Sequence, residues 1–425
     1  KFLVIEPAKG EYKDVFGNDS DVSVYGTNPN ISELLRIDPF SFPKGIHVYE
    51  HMDRLVEIFN VCWPMYAAMP AVLKSAIEQS YADCGWDLRK STNEYGDDLF
   101  PSFSDVARNI KTIIDSSEYD SENKGAYKGS LLTRLKSLTN GINGMIFTRD
   151  ALSDEELFDK NVIIDLSRVG SSETKSLLMG MLVLKLQEHR MTEIHSMNSG
   201  LKHLTVLEEA HNLLKRTSSD QPVEGGNLLG KSVEMISYAI AEMRTYGEGF
   251  VIVDQAPGLL DMAAIRNTNT KIIMRLPDQE DRELVGRSAN LNDDQIIELA
   301  KLPCGVAAVY QNEWVQPVLC KIQYFETPKS QYSYNCIGHT ESRNDVDERI
   351  EIAEMLSNGT KIDEENILKD IRPKMQGMQI DSSVQVTIME MLQNPPEEPR
   401  MTKLAPIFND LFPQVTDSIQ RAYDD

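Results

Sequence analysis

The sequence predicts an α/β protein: a mostly parallel central sheet, a helical insertion and a helical C-terminal region. Three observations predict it. Short β-branched apolar runs, Phe2–Ile5, Val162–Leu166, Leu204–Leu207, Phe250–Val253 and Lys271–Met274, have the pattern of strands buried on both faces. Helix-like stretches such as Glu173–Arg190 and Ser232–Tyr246 separate most of them, as crossovers between parallel strands do. The 425 residues are 41% hydrophobic and 26% charged, which suffices for a large core.

The elements follow in order. Residues 1–43 open on the strand-like run at Phe2. Between residues 44 and 160 the apolar period becomes helical: Met52, Leu55, Val56, Phe59 and Cys62 share one face, and Val106, Ile110, Ile113 and Ile114 another. Pro70 opens a further helix carrying Val72, Leu73, Ala76 and Ile77. Residues 161–326 return to strand and helix, and Val306–Tyr310 and Val315–Ile322 read as an antiparallel hairpin closing the sheet. Tyrosine-rich Thr327–Thr340 reads as a linker. The remainder to residue 425 is acidic and helical, with segments at Val346–Leu356 and Val384–Leu392.

Composition narrows the function classes. The net charge of -23 comes from 66 acidic and 43 basic side chains. Such a body repels phosphate backbones, so any nucleic-acid contact is confined to a few basic loops. The five cysteines form no C-x-x-C pair, which fits reduced thiols in the cytoplasm. The apolar run Leu177–Leu186 is too short to span a bilayer and is interrupted by Lys185. His47 and His51 could share a helix face as metal ligands, but no third ligand follows at a useful spacing. Neither a Ser-His-Asp arrangement nor a dinucleotide fingerprint stands out.

The most informative segment is Leu204-Thr205-Val206-Leu207-Glu208-Glu209-Ala210-His211. A buried strand there delivers two carboxylates at its C-terminal tip, the edge where open α/β sheets bind ligands. Hydrolysis of a nucleoside triphosphate needs one carboxylate for a hard cation and a second to orient or deprotonate water. Glu208 is assigned to magnesium and Glu209 to the general base; the bland alternative is an exposed pair capping the next helix. Lys9-Gly10-Glu11-Tyr12 also follows a strand. Lys9 could meet phosphate and Glu11 could sit near the nucleotide, or the tetrapeptide is an ordinary turn. Gln255, after Phe250–Val253, could sense a γ-phosphate. Arg244 and Arg275 lie at element ends, from which a guanidinium could reach a neighbouring subunit's nucleotide or make a surface ion pair.

Gly225-Gly226-Asn227-Leu228-Leu229-Gly230-Lys231-Ser232 matches the phosphate-loop pattern letter for letter. The mechanism needs a strand before the loop, and the upstream Lys215–Pro222 stretch is polar. It also follows the paired carboxylates rather than preceding them. The stretch reads as a decoy, and as a loop whose Lys215, Arg216 and Lys231 could touch a DNA backbone.

Taken in order, these pieces resemble HerA/FtsK-type P-loop ATPases over roughly residues 1–325. Phe2–Tyr12 resembles the segment after their phosphate loop, and Ile37–Pro43 the entry into their helical insertion. Val162–Ser167 resembles the strand before the Walker B helix. Leu204–His211 is similar to Walker B, with Glu-Glu where Asp-Glu is commoner. Arg244–Gln255 resembles the arginine and sensor segment, and Asn269–Arg275 the next strand. The resemblance implies a RecA-like core, ATP with Mg2+, and a homo-hexameric ring moving double-stranded DNA. It also implies a nuclease or other effector partner in DNA processing or phage defence. The expected Walker A loop is missing, so the chain reads as a fragment beginning after it and inactive alone. A non-catalytic ring or scaffold and a conjugation- or secretion-type ATPase are the alternatives.

Overall fold

The computed structural model describes residues 1–193, 199–217, 228–327, 331–334, 344–376, 378, 380–396 and 400–412. Its strands, in chain order, are β1 (Phe2–Glu6), β2 (Val22–Gly26), β3 (Glu33–Leu34), β4 (Trp86–Asp87), β5 (Thr92–Asn93), β6 (Asn161–Asp165), β7 (His203–Leu207), β8 (Glu248–Ile252), β9 (Thr270–Ile273), β10 (Val306–Gln311) and β11 (Val318–Lys321). The chain divides into two compact units. The first comprises Lys1–Ile46, Asp53–Pro70 and Asp150–Cys336, the second His47–Met52, Ala71–Arg149 and Ile337–Asp425.

The first unit holds a six-stranded sheet in the order β3-β2-β6-β1-β7-β8, parallel at every pairing. This is the mostly parallel central sheet that the apolar runs predict. β1 is central, and Leu3, Val4 and Ile5 are buried, as a two-sided environment demands. Helix Ser172–Thr192 is the crossover from β6 to β7, and helix Leu228–Glu242 lies between β7 and β8. The middle of the first, residues 177–184, is apolar all round because it is buried on every side. Its Lys185 is buried too, and donates to Ser41 Oγ at 3.0 Å.

Two expectations need correcting. Lys271–Met274 is not a parallel strand of the central sheet. β9 pairs antiparallel with β10 (Ile273 opposite Ala308), and β10 with β11 (Ala308 opposite Leu319), in a separate three-stranded sheet. Ile272 is 62% exposed there. The hairpin at residues 306–321 is thus present but closes that smaller sheet. An apolar run reports β propensity, whereas sheet membership depends on distant partners. The sequence pattern also does not announce β2, whose Val22, Ser23, Val24 and Tyr25 pair with β6.

In the second unit, helices Met69–Asp83, Phe103–Ser116 and Ser121–Thr139 join the C-terminal helices Asn344–Asn358, Ser382–Gln393 and Arg400–Leu411. One apolar cluster there contains Tyr95 and Leu99 together with Ile352, Ile367, Ile388 and Leu404. Parts of the 44–160 stretch and of the C-terminal region therefore share a core. A capping box of Ser102 and Asp105 starts the helix at Phe103, and Asp381 accepts from Ser102 Oγ at 2.8 Å. The linker stretch 327–340 lies partly outside the described residues. Within it Tyr332 donates its backbone N–H to Asp14 Oδ1 at 3.1 Å.

The amino edge of the central sheet is closed by buried charge. Glu248, at the start of β8, meets His203 Nδ1 at 2.8 Å and accepts from Thr205 Oγ1 at 2.7 Å and Arg190 Nε at 3.0 Å. Arg190 also donates to Asp159 Oδ1 at 2.8 Å. Burial pushes the Glu248 carboxyl up, but these partners outweigh it and hold the group below its ordinary value. A lowered carboxyl contributes stability above the ordinary value near pH 4.3; the contribution is lost as pH falls through the lowered one. Glu248→Gln leaves Arg190 and His203 underpaired and should cost about 3 kcal/mol at pH 7. In urea titrations the gap to wild type should narrow below about pH 4.

Candidate active site

Parallel pairing brings three strand ends to one edge. Glu6 stands opposite Asp165, and Ile5 opposite Leu207. The ladder continues one residue further, Glu208 N donating to Ile5 O at 3.1 Å. Glu6, Asp165 and Glu208 therefore emerge side by side, each with a different partner. Glu6 is buried and accepts from the backbone N–H groups of Glu11 (2.7 Å) and Tyr12 (3.2 Å). Burial raises its carboxyl, those two donors lower it, and the net shift is upward. Asp165 pairs with Lys13 Nζ at 2.7 Å and accepts from Ser167 N at 2.9 Å. Burial is again the largest influence, but Lys13 and Ser167 outweigh it and the carboxyl lies below its ordinary value. Glu208 Oε1 accepts from the Tyr12 phenol at 2.6 Å. The phenol is pushed upward by burial and then by this carboxylate.

Glu209 leaves the strand in the left-handed region, at φ 44° and ψ 50°. A non-glycine residue there costs about 1 kcal/mol or more, and such conformations cluster at functional sites. The turn re-aims its side chain toward the end of β8: Gln255 Nε2 donates to Glu209 Oε1 at 2.8 Å. Asp254, beside Gln255, accepts from the backbone N–H of His211 (2.9 Å) and of Ala256 (2.9 Å), and its Oδ2 lies 2.8 Å from His211 Nδ1. The same His211 nitrogen is 3.5 Å from Glu209 Oε2. Glu209, His211 and Asp254 offer ligand atoms within 4.8 Å of one another.

Of the residues singled out in the sequence, Glu208, Glu209 and Gln255 come together. Lys9 and Glu11 stand on the neighbouring turn with side chains 63% and 71% exposed and 3.9 Å apart. Gly10 there has φ 74°, and a Cβ on it would come within 2.5 Å of Lys13 Nζ, so the turn requires glycine. Arg244 lies before β8, at the opposite end of that strand from Gln255, and Arg275 follows β9; both are exposed. Among the described residues neither arginine is bonded to the glutamate pair. Lys215 and Arg216 are exposed beside Leu259 and Leu260 (Arg216 N to Leu259 O, 2.7 Å). Gly225, Gly226 and Asn227 of the phosphate-loop-like motif lie outside the described residues. Its Lys231 is exposed on helix Leu228–Glu242, and its Ser232 is buried and donates to Glu57. Sequence reasoning missed Glu6, Tyr12, Lys13, Asp165, His211 and Asp254. Only their places at or soon after strand ends could have flagged them.

No protein-family model matches the chain. A DNA double-strand break repair helicase HerA of Sulfurisphaera tokodaii is 24% identical over 319 residues, 74% of this chain and 60% of that protein. The same-named protein of Sulfolobus acidocaldarius is 32% identical over 132 residues, 30% of this chain and 25% of that protein. Over these stretches the chain is similar in sequence to HerA helicases. It spans about 60% or less of the length of these relatives. Among solved structures, VirB4 of Thermoanaerobacter pseudethanolicus superposes with a TM-score of 0.56 at 15% identity, covering 76% of this chain and 82% of its own. The bacterial conjugative coupling protein TrwBdeltaN70 gives 0.52 at 11% identity, covering 78% and 80%. Both show the fold.

With Ser232 turned to Glu57, the Gly225–Ser232 stretch should not be the phosphate loop. Lys231→Ala in the full-length protein is expected to change ATP affinity by less than roughly twofold. Titration with a fluorescent ATP analogue checks this, and a large loss would restore the motif as a phosphate site.

Proposed function

We propose that this chain carries the hydrolytic core of an ATP-driven motor of HerA type. In this reading a homo-hexameric ring translocates double-stranded DNA in the cytoplasm, with a nuclease or other effector as partner. The observation that carries it is the pair Glu208 and Glu209 at the carboxyl edge of the central sheet, each side chain held by a different partner. The division of labour suits nucleotide hydrolysis. Glu208 presents a hard carboxylate oxygen, the ligand type magnesium takes, so the residue present fits that ion. Bound Mg2+ would neutralise phosphate charge. Glu209, oriented by Gln255 and close to His211, accepts the proton of the attacking water. Gln255 can also sense the γ-phosphate, and Lys9 and Glu11 border the nucleotide.

Arg244 is separated from its own chain's glutamates by the length of β8. In this reading it serves, like Arg275, the site of a neighbouring copy, where a guanidinium stabilises transition-state charge. Lys215, Arg216 and Lys231 supply the local positive charge that an acidic protein needs to hold a phosphate backbone. None of the described helices is long and apolar enough to cross a membrane.

In the full-length protein Glu209→Gln should lower ATP turnover at least about 100-fold while ATP binding persists. Surviving turnover in a coupled phosphate-release assay would remove Glu209 as the base. Replacing Lys215 and Arg216 with Ala should flatten the dependence of log DNA affinity on log salt by about 0.9 per lost contact. An unchanged slope in fluorescence anisotropy would place the DNA elsewhere.

A further inference from the structure

Three consecutive residues tie one turn to all three strand-end acids. Glu11 and Tyr12 donate their backbone N–H groups to the two oxygens of Glu6, at 2.7 and 3.2 Å. The Tyr12 phenol donates to Glu208 Oε1 at 2.6 Å. Lys13 Nζ bridges Asp165 Oδ2 and Gly10 O, each at 2.7 Å. The Tyr12 ring is itself held, packed on the apolar cluster of Val4, Val24 and Ile163. The phenol therefore meets Glu208 from a fixed backbone and a fixed ring. It occupies one carboxylate oxygen, Oε1, and the other is the one offered to a cation in this proposal.

We propose that Tyr12 is a positioning residue for Glu208: the turn 11–13, clamped on Glu6 and Asp165, sets the carboxylate's orientation and with it the site's affinity for a divalent cation. The proposal rests on the reading of Glu208 as the metal-binding acid. Its physical basis is general. A group that hydrogen-bonds a metal ligand from behind restricts that ligand's rotamers before the ion arrives, and losing it typically weakens metal binding about 10- to 100-fold. Tyr12 does not touch the ion in this scheme; it acts only through Glu208.

The test uses the full-length protein with Mn2+ as a spectroscopic probe, titrated by electron paramagnetic resonance in the presence of a non-hydrolysable ATP analogue. Tyr12→Phe keeps the ring and removes the hydroxyl. It should weaken Mn2+ binding about tenfold and raise the Mg2+ needed for half-maximal hydrolysis by a similar factor. The kcat at saturating Mg2+ and the melting temperature should stay near wild type. Glu6→Gln, which leaves one acceptor for two backbone donors, should shift Mn2+ affinity in the same direction with Tyr12 intact. Wild-type Mn2+ affinity in both variants would overturn the proposal, as would a fall in kcat at unchanged metal affinity. Glu208→Gln separates the two levels. If it leaves Mn2+ binding unchanged, the metal reading of Glu208 fails. If it abolishes binding while Tyr12→Phe does nothing, only the positioning role fails.

Discussion

The constraint on which this structure turns is the crowding of carboxylates at one sheet edge. Parallel strands lie about 4.8 Å apart, so acids ending adjacent strands repel one another unless each finds its own counterpart. The protein offsets the three strand-end charges in three ways. Glu6 takes backbone N–H groups, Asp165 takes the Lys13 ammonium, and Glu208 takes a phenol. Two of these are buried, strongly held and structural in character. Glu208 is held by a neutral side-chain donor. The turn 11–13 makes this allocation, and a central sheet without it would expose a cluster of mutually repelling charges.

The two edges of the sheet show the same residue types used in opposite ways. At the amino edge Glu248, His203, Arg190 and Asp159 are interlocked, and Glu248 has no exposed side-chain surface. Breaking such a network is costly, so that end acts as a fastening for β6, β7 and β8. At the carboxyl edge Glu209, His211 and Asp254 are only linked in pairs, and two of them remain partly open to solvent. The left-handed backbone of Glu209 belongs to this second end, where local strain turns an acid away from its strand and toward Gln255. Fastened at one end and accessible at the other, the sheet holds its glutamate pair without closing over it.

The acidic surface also has a place in this picture. With a net charge of -23, a polyanion meets attraction only where basic side chains are gathered. Lys215, Arg216 and Lys231 lie in the chain between the glutamate strand and the next, close in sequence to the candidate hydrolytic pair.

The α/β class, four of the six central strands and the glutamate pair were legible in the sequence. Buried parallel strands need continuous apolar runs, and carboxylates just after such a run must emerge at the sheet's carboxyl edge. The helical face Met52, Leu55, Val56, Phe59 and Cys62 was legible for the same reason, because burial imposes a period. Pairing was not legible. Nothing in Thr270–Ile273 says that its neighbour is β10 rather than β8, and nothing in Val22–Gly26 says that β6 will cover it. Nor could the sequence join Tyr12 to Glu208 across 196 positions, or His211 to Asp254 across 43. Residue type and local period determine which side chains can do chemistry; the tertiary structure decides which of them meet, because hydrogen bonds and charges act over a few ångströms of space.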